Sequence, residues 1–170
     1  SMTADSTFDI AQGDTLTVSG VISGTGRLTK TNGGTLVLSH SANTYEGGTT
    51  VSGGVLQVSA DRNLGAVPSA VNANNIALNG GTLQATADMT LSALRGITVT
   101  GNSTFSTDAS VSVNYAGVIA GSAGLTKSGS GSLVLTGSNT HSGGLTIAGG
   151  TLQVGNGTTG TLASASTIAI

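Results

Sequence analysis

Two histidines are the side chains of this chain best suited to proton transfer, and neither accompanies a nucleophile motif. A hydrolytic triad needs a base beside an activated serine or cysteine. The sequence has no cysteine and no Gly-x-Ser-x-Gly motif around a serine. Besides His40, the other histidine, His141, takes the position that Tyr45 holds in an earlier and similar stretch. We therefore interpret His141 as a turn-packing residue and predict no catalytic site.

The acidic residues are the next candidates, because glycoside cleavage needs two carboxyl groups close together. They are spread along the whole chain, and Asp9 and Asp14 are the nearest approach to a pair. We interpret these two as solvated strand ends. The acidic residues are Asp5, Asp9, Asp14, Glu46, Asp61, Asp88 and Asp108.

No motif for a metal or a cofactor is present. Calcium-binding nonapeptide repeats place an aspartate shortly after paired glycines, whereas here Thr, Val or Leu follows them. The glycines around Gly24-Thr25-Gly26 lack the third glycine of a dinucleotide loop, and no phosphate-loop Gly-Lys-Ser/Thr occurs. The sequence therefore predicts neither a metal site nor a bound cofactor.

Composition narrows the class of protein further. Charged residues make up 7% of the chain, against about 25% in an average globular protein, so Ser, Thr, Asn and Gly must form most of the surface. The basic residues form no stripe that could neutralise a row of phosphates, and we expect no nucleic-acid partner. They are Arg27, Lys30, Arg62, Arg95 and Lys127.

Period-two alternation defines the elements that must position these side chains. Apolar residues fall two apart, as at Leu36 and Leu38 or Leu133 and Leu135, which predicts short β-strands. Helical spacing is not sustained, and frequent glycines oppose helices. Paired glycines such as Gly53-Gly54 separate the strands and predict corners, because glycine adopts positive φ without a Cβ clash.

The strongest pattern is a long internal repeat. Residues 21–58 and 118–154 match at many positions, and the string Gly-Gly-Thr-Leu-Gln occurs again at Gly80 to Gln84. A unit of roughly 20 residues that winds once round a coil would stack its inward Leu and Val residues on those of the next coil. The pattern therefore favours an all-β parallel β-helix. An antiparallel sandwich is the alternative, but it requires no such recurrence.

Two local features accompany this repeat: an irregular stretch between the copies, and an asparagine that both copies share. The stretch 59–74 carries the only proline and lacks clean alternation, so we predict a loop or an irregular coil there within the variant segment 59–117. In both copies an asparagine precedes a glycine corner, at Asn43 and Asn139. We predict that its amide caps the turn or pairs with a neighbouring coil.

The sequences at 24–58 and 121–154 resemble the autotransporter-associated β-strand repeat, also called the passenger-associated transport repeat. The resemblance covers most of the chain. It implies a right-handed parallel β-helix that forms one segment, 1–170, of the passenger of a type V secreted protein. Such a passenger is displayed outside the outer membrane of a Gram-negative bacterium, attached to it or released.

The same resemblance suggests partners. The translocator barrel of the parent chain would lie beyond this piece, and the neighbouring coils would be the immediate partners. We expect a structural stalk that supports secretion and folding, with an adhesive, virulence-related surface for host or bacterial cells as the alternative. Thr167 to Ile170 parallels Asn75 to Leu78, so we expect a chain cut within a coil, whose bare ends associate end to end.

Overall fold

The computed structural model describes residues 1–163 and 167–170, and these form a parallel β-solenoid of about seven turns. The parallel β-helix predicted from the sequence is thereby confirmed. No α-helix occurs in the described residues, where the only helical element is a 3-10 helix at Asp61–Leu64. The strands are β1 (Ser6–Asp9), β2 (Thr15–Val18), β3 (Ser23–Gly24), β4 (Leu28–Thr31), β5 (Thr35–Leu38), β6 (Thr44–Tyr45), β7 (Thr49–Val51), β8 (Val55–Val58), β9 (Asn72–Asn79), β10 (Thr82–Ala85), β11 (Met89–Leu91), β12 (Arg95–Gly101), β13 (Ser103–Thr107), β14 (Ser112–Tyr115), β15 (Ile119–Gly121), β16 (Leu125–Ser128), β17 (Ser132–Leu135), β18 (Leu145–Ile147), β19 (Thr151–Val154) and β20 (Ile168–Ala169).

The strands stack into sheets that form the sides of the coil. The first sheet has the order β1-β4-β7-β9-β12-β15, and the second has β2-β5-β8-β10-β13-β16-β18-β20. The third sheet, β11-β14-β17-β19, follows the second along the chain, and the pair β3-β6 holds the same place in the first two coils. Every pairing between these strands is parallel.

Alternation along each strand builds the core. In β5 the residues Leu36 and Leu38 are buried while the residues between and before them are half-buried. The register places Leu36 on Leu56 and Leu56 on Leu83, so inward side chains form a continuous column through successive coils. Each fully buried aliphatic side chain contributes about 1.5–3 kcal/mol, which only a stack of several coils can accumulate.

In the first sheet one coil is clearly longer than the others. The register of the first sheet pairs Leu28 with Thr49, 21 residues on, and Ile76 with Ile97, also 21 residues on. Between Thr49 and Ile76, however, the coil takes 27 residues. The surplus lies in the predicted irregular stretch 59–74, where the 3-10 helix and a loop occupy 59–71 and the last three residues begin β9, contrary to the prediction.

The two copies of the long repeat do not lie above one another. The Leu-Thr-Lys strand of the first copy, β4, belongs to the first sheet, whereas its counterpart β16 belongs to the second. Four coils after Leu28 the register reaches Ile119, six residues before the counterpart Leu125. Like residues therefore do not stack between copies, because the second copy is displaced by one side of the coil.

Candidate functional site

The histidines lie in structural positions. His141 is 4% exposed, and its Nε2 atom lies 2.6 Å from the Ala123 carbonyl oxygen of the preceding coil. His40 is half-buried and its Nδ1 atom accepts a hydrogen bond from the Ala42 amide at 3.1 Å. Both contacts are to the backbone, which agrees with a turn-packing role for His141.

The two carboxylates considered as a pair, Asp9 and Asp14, are found at strand ends on the surface. Asp9 ends β1 and Asp14 directly precedes β2, and both are exposed. Among residues 1–163 and 167–170, no three His, Cys, Asp or Glu side chains come together as metal ligands would. No helix in that part of the chain is long and apolar enough to cross a bilayer.

Two buried lysines form polar sites at the corners of the coil. Lys30 is 0% exposed and Lys127 is 1% exposed. The Lys30 ammonium donates to the carbonyl oxygens of Thr31, Asn32 and Gly53, at 2.6, 2.9 and 3.3 Å. Burial lowers the pKa of Lys30, and the nearby Asp9 carboxylate partly offsets this effect.

The second lysine repeats this cage on another side of the coil. The Lys127 ammonium donates to the carbonyl oxygens of Ser128, Gly129, Gly131 and Gly149, at 2.7, 3.2, 3.1 and 3.2 Å. Burial lowers the pKa of Lys127 as well. Because Gly149 belongs to the following coil, as Gly53 does in the first copy, each ammonium links two successive corners.

The asparagines of the two copies link three coils each. The Asn43 Oδ1 atom accepts from the Ile22 amide at 2.8 Å, and its Nδ2 atom donates to the Asn63 carbonyl at 2.9 Å. Asn139 accepts from the Ile119 amide at 2.9 Å in the same way. Its Nδ2 atom donates to the Gly137 and Thr161 carbonyls, both at 3.0 Å. Of the two predicted roles, the link to a neighbouring coil is confirmed for both asparagines, and Asn139 also donates to a carbonyl of its own coil, at Gly137.

A buried arginine stabilises the irregular coil, which is the 27-residue coil from Thr49 to Ile76 that contains the 3-10 helix. Arg95 is 0% exposed, and its Nε atom lies 2.9 Å from Asp61 Oδ1 while Nη2 donates to Oδ2 at 3.1 Å. The guanidinium also donates to the Gly65 carbonyl at 2.7 Å and to Asn75 Oδ1 at 2.9 Å. Such a bidentate, fully hydrogen-bonded ion pair can compensate the desolvation of both charges.

The irregular coil also frames a surface hollow of about 670 Å³. It has Glu46 at one side and residues 66–73, from the loop and the start of β9, at the other. Val71 is 68% exposed on this loop, and Val67 is 38% exposed. The hollow holds no cluster of chemical groups, because Glu46 is its one ionisable lining residue.

Sequence reasoning missed the burial of these three cations. It treated Lys30, Lys127 and Arg95 only as charges that form no stripe. The alternation itself carried the signal for the lysines, because each lies two residues after an inward leucine, Leu28 or Leu125. For Arg95 no comparable signal exists, since its partners lie about 30 residues earlier in the irregular coil.

Comparisons with known proteins agree with this architecture. The family model of the passenger-associated transport repeat matches residues 28–58 and 125–154. A search of curated proteins finds the adhesin BmaC autotransporter of Brucella suis biovar 1 (strain 1330), 43% identical over 143 residues. That alignment covers 84% of this chain, which spans only 4% of the relative's length. No solved structure matches the chain significantly.

The matched stretches coincide with the two copies that share the lysine cages and the asparagine links described above. Residues 28–58 hold Lys30 and Asn43, and residues 125–154 hold Lys127 and Asn139. The parallel coil is what such repeats require in order to bury their apolar faces. The chain therefore carries two passenger-associated transport repeats and forms a repeat region of an autotransporter passenger.

Proposed function

We propose that this region is a structural stalk of a passenger displayed at the surface of a Gram-negative bacterium. Its stepwise coiling outside the outer membrane supports secretion of the parent chain. The supporting observation is that buried polar groups of one coil find their partners in adjacent coils. Asn139, for instance, binds Ile119 in the preceding coil and Thr161 in the following one.

This arrangement gives a physical reason for the proposed role. A coil that docks on a folded neighbour buries its leucines and completes these hydrogen bonds in one step. Each addition is favourable only beside a completed coil, so coiling that begins at one end can bias the movement of a chain without another energy source. The translocator barrel of the parent chain is the proposed partner in this process.

The test uses the full-length parent chain and its surface display. Removal of residues 121–154, or replacement of both Asn43 and Asn139 by Ala, should lower the amount of passenger that external protease can reach. The matched control replaces exposed Thr90 by Ala, which leaves every link between coils intact. Unchanged display of both altered passengers would contradict the stalk proposal.

Adhesion is the second candidate, and the name of the Brucella relative favours it. Under this proposal the weakly charged Thr, Ser and Asn surface contacts host or bacterial cells. The purified region should then bind such cells saturably, whereas a stalk without adhesive function should not. We propose no catalytic role for either case, and screens for peptide and glycan cleavage should show no turnover.

A further inference from the structure

A groove opens at the corner where the second copy of the repeat enters the second sheet. Its volume is about 410 Å³, and hydroxyl, amide and backbone groups dominate its wall. None of the described lining residues carries a charge. They are Asn102, Ser103, Thr104, Gly124, Leu125, Thr126, Gly144 and Thr146.

The first copy contains the same corner, built from counterpart residues. In the second copy the Asn102 Oδ1 atom accepts from the Gly124 amide at 2.8 Å. In the first copy the Asp5 Oδ1 atom accepts from the Arg27 amide at the same distance. The full set of counterparts in the first copy is Asp5, Ser6, Thr7, Arg27, Leu28, Thr29, Gly48 and Thr50.

In the first copy a side chain of the protein itself lies across this corner. The Arg27 Nη1 atom donates to the Thr50 hydroxyl at 3.0 Å, and Nη2 donates to the Asn74 carbonyl at 2.8 Å. The guanidinium passes over Gly48, where an added Cβ would lie 3.2 Å from Nη2. Arg27 thus shows which chemical group this corner accepts.

In the second copy Gly124 replaces Arg27, so no described side chain lies across the corner. Thr146, the counterpart of Thr50, is consequently exposed. No positive φ requires glycine at this position, and the atom nearest to an added Cβ would be the Asn102 side-chain oxygen, at 3.0 Å, followed by Asn102 Cγ at 3.6 Å and the Gly144 carbonyl oxygen at 3.8 Å. Arg27 itself demonstrates that a larger residue fits the same backbone.

We propose that the open groove binds an arginine side chain presented by a partner protein. A planar guanidinium with five donors matches the hydroxyl and amide oxygens of Thr126, Thr146 and Asn102, as Arg27 matches Thr50. A compact lysine ammonium lacks the fork that spans two acceptors. The groove has no carboxylate, so it serves as one weak contact among several on a larger surface. This binding goes beyond the stalk role and does not depend on export.

Nuclear magnetic resonance of the isotopically labelled region tests the proposal, with N-acetyl-arginine amide as probe and N-acetyl-lysine amide as comparison. The arginine probe should shift the amide signals of Gly124, Thr126 and Thr146 saturably. The lysine probe should bind about tenfold more weakly or worse. Absence of shifts at this corner, or equal binding of both probes, would overturn the proposal.

Two substitutions extend the test, one by filling the groove of the second copy and one by emptying the corner of the first. Gly124→Arg fills the groove with its own guanidinium and should abolish the shifts at Thr126 and Thr146. Arg27→Gly empties the counterpart corner and should create a second set of shifts, at Gly48 and Thr50. Binding that persists in Gly124→Arg, or no second site in Arg27→Gly, would count against the groove. The second variant keeps the test decisive if the first fails to fold.

Discussion

The buried lysines show how a charged residue can belong to the interior of a solenoid. The four-carbon stem of Lys127 continues the inward column of the second sheet, between Phe105 and Ile147. Its ammonium reaches the corner, where it donates to the Gly131 and Gly149 carbonyl oxygens. In the first sheet Lys30 stacks on Phe8 in the same way. A lysine thus serves as both core residue and corner cap.

Replacement of Lys127 by Met keeps the apolar stem and removes the donor. We expect the free energy of unfolding to fall by about 1–3 kcal/mol, because several buried carbonyls lose a charged partner. Relief of the ammonium's desolvation offsets part of this loss. Urea denaturation measures the difference, with Arg62→Met as the control. A Lys127→Met protein as stable as the parent would show that the cage contributes nothing.

Thr107 contrasts with the two lysines, because burial of its hydroxyl is expected to destabilise the fold. Its hydroxyl is fully buried and makes no hydrogen bond to any described residue. Its counterpart in the first copy is Ile10, which is also buried. An unpaired buried hydroxyl costs about 1–3 kcal/mol.

We therefore expect Thr107→Val, a change of equal shape, to raise the free energy of unfolding by about 1 kcal/mol. Exposed Thr90→Val is the matched control and should change stability by less than about 0.5 kcal/mol. Thermal unfolding of both variants provides the comparison. A loss of stability in Thr107→Val would indicate that the hydroxyl has a partner, such as an internal water.

At the scale of elements, the corners decide how closely coils approach. Gly143 and Gly144 are adjacent, yet they differ in what surrounds them. A Cβ on Gly143 would clash with the Ala123 carbonyl oxygen of the preceding coil, whereas on Gly144 the only described atom within 4 Å would be Thr167 Oγ1, at 3.5 Å. Gly143 is therefore required by the contact between coils, and Gly144 is not.

Substitution of these two glycines distinguishes a steric clash between coils from the effect that any Gly-to-Ala change has on the unfolded chain. Gly143→Ala should destabilise the region by about 3 kcal/mol, because two coils must move apart. Gly144→Ala should be nearly neutral, or slightly stabilising through the unfolded state. Chemical denaturation of the pair measures the contrast. Equal effects of the two substitutions would contradict the observed stacking distance.

The second copy of the repeat forms the same internal contacts as the first, although it begins on another side of the coil. The asparagine link to Ile22 recurs at Ile119, and the lysine cage recurs at Lys127, although the counterpart strands β4 and β16 lie in different sheets. All these contacts join residues within one coil or in adjacent coils. The repeat can therefore occupy another side of the solenoid without loss of its internal hydrogen bonds.

At the scale of the whole molecule, the two tyrosines report on unfolding at high pH. Burial raises the pKa of Tyr45 from 10.0 to about 12, although hydrogen bonding to Thr49 lowers it in part. Burial raises the pKa of Tyr115 further, and its hydroxyl donates to the Arg95 carbonyl at 2.5 Å. The folded state therefore retains phenol protons that the unfolded state releases.

The sign of the pH dependence follows from these raised pKa values. The tyrosine contribution to stability is complete below pH 10 and is lost as the pH rises through about 12. The lowered pKa values of Lys30 and Lys127 act in the opposite direction, because their penalty shrinks as the pH approaches 10.5.

The tyrosines should thus dominate above pH 10.5, where we expect tyrosinate absorbance to rise together with the loss of β-sheet circular dichroism. Replacement of both tyrosines by Phe should flatten the fall in stability above pH 10, relative to the parent. Tyrosinate absorbance that titrates near pH 10 in a still folded protein would contradict the burial of both phenols.

Much of this structure could be read from the sequence because it depends on local rules. Alternation of Leu and Val fixed the strands, paired glycines placed the corners, and the repeat indicated a coil of about 20 residues. The structural roles of Asn43 and Asn139 followed from their position before a glycine corner. These inferences need only neighbouring residues and the geometry of a stacked coil.

Tertiary structure alone decided the rest, because it depends on how many residues each coil contains and on what the next coil brings. The 27-residue coil from Thr49 to Ile76 is one of the coil lengths that together set the side on which the second copy begins. Arg95 is buried because Asp61 and Gly65 of the irregular coil surround it. Among the described residues no side chain lies across the corner at Gly124, because a glycine stands there in place of the arginine of the first copy. Alternation within one strand contains no information on any of these contacts.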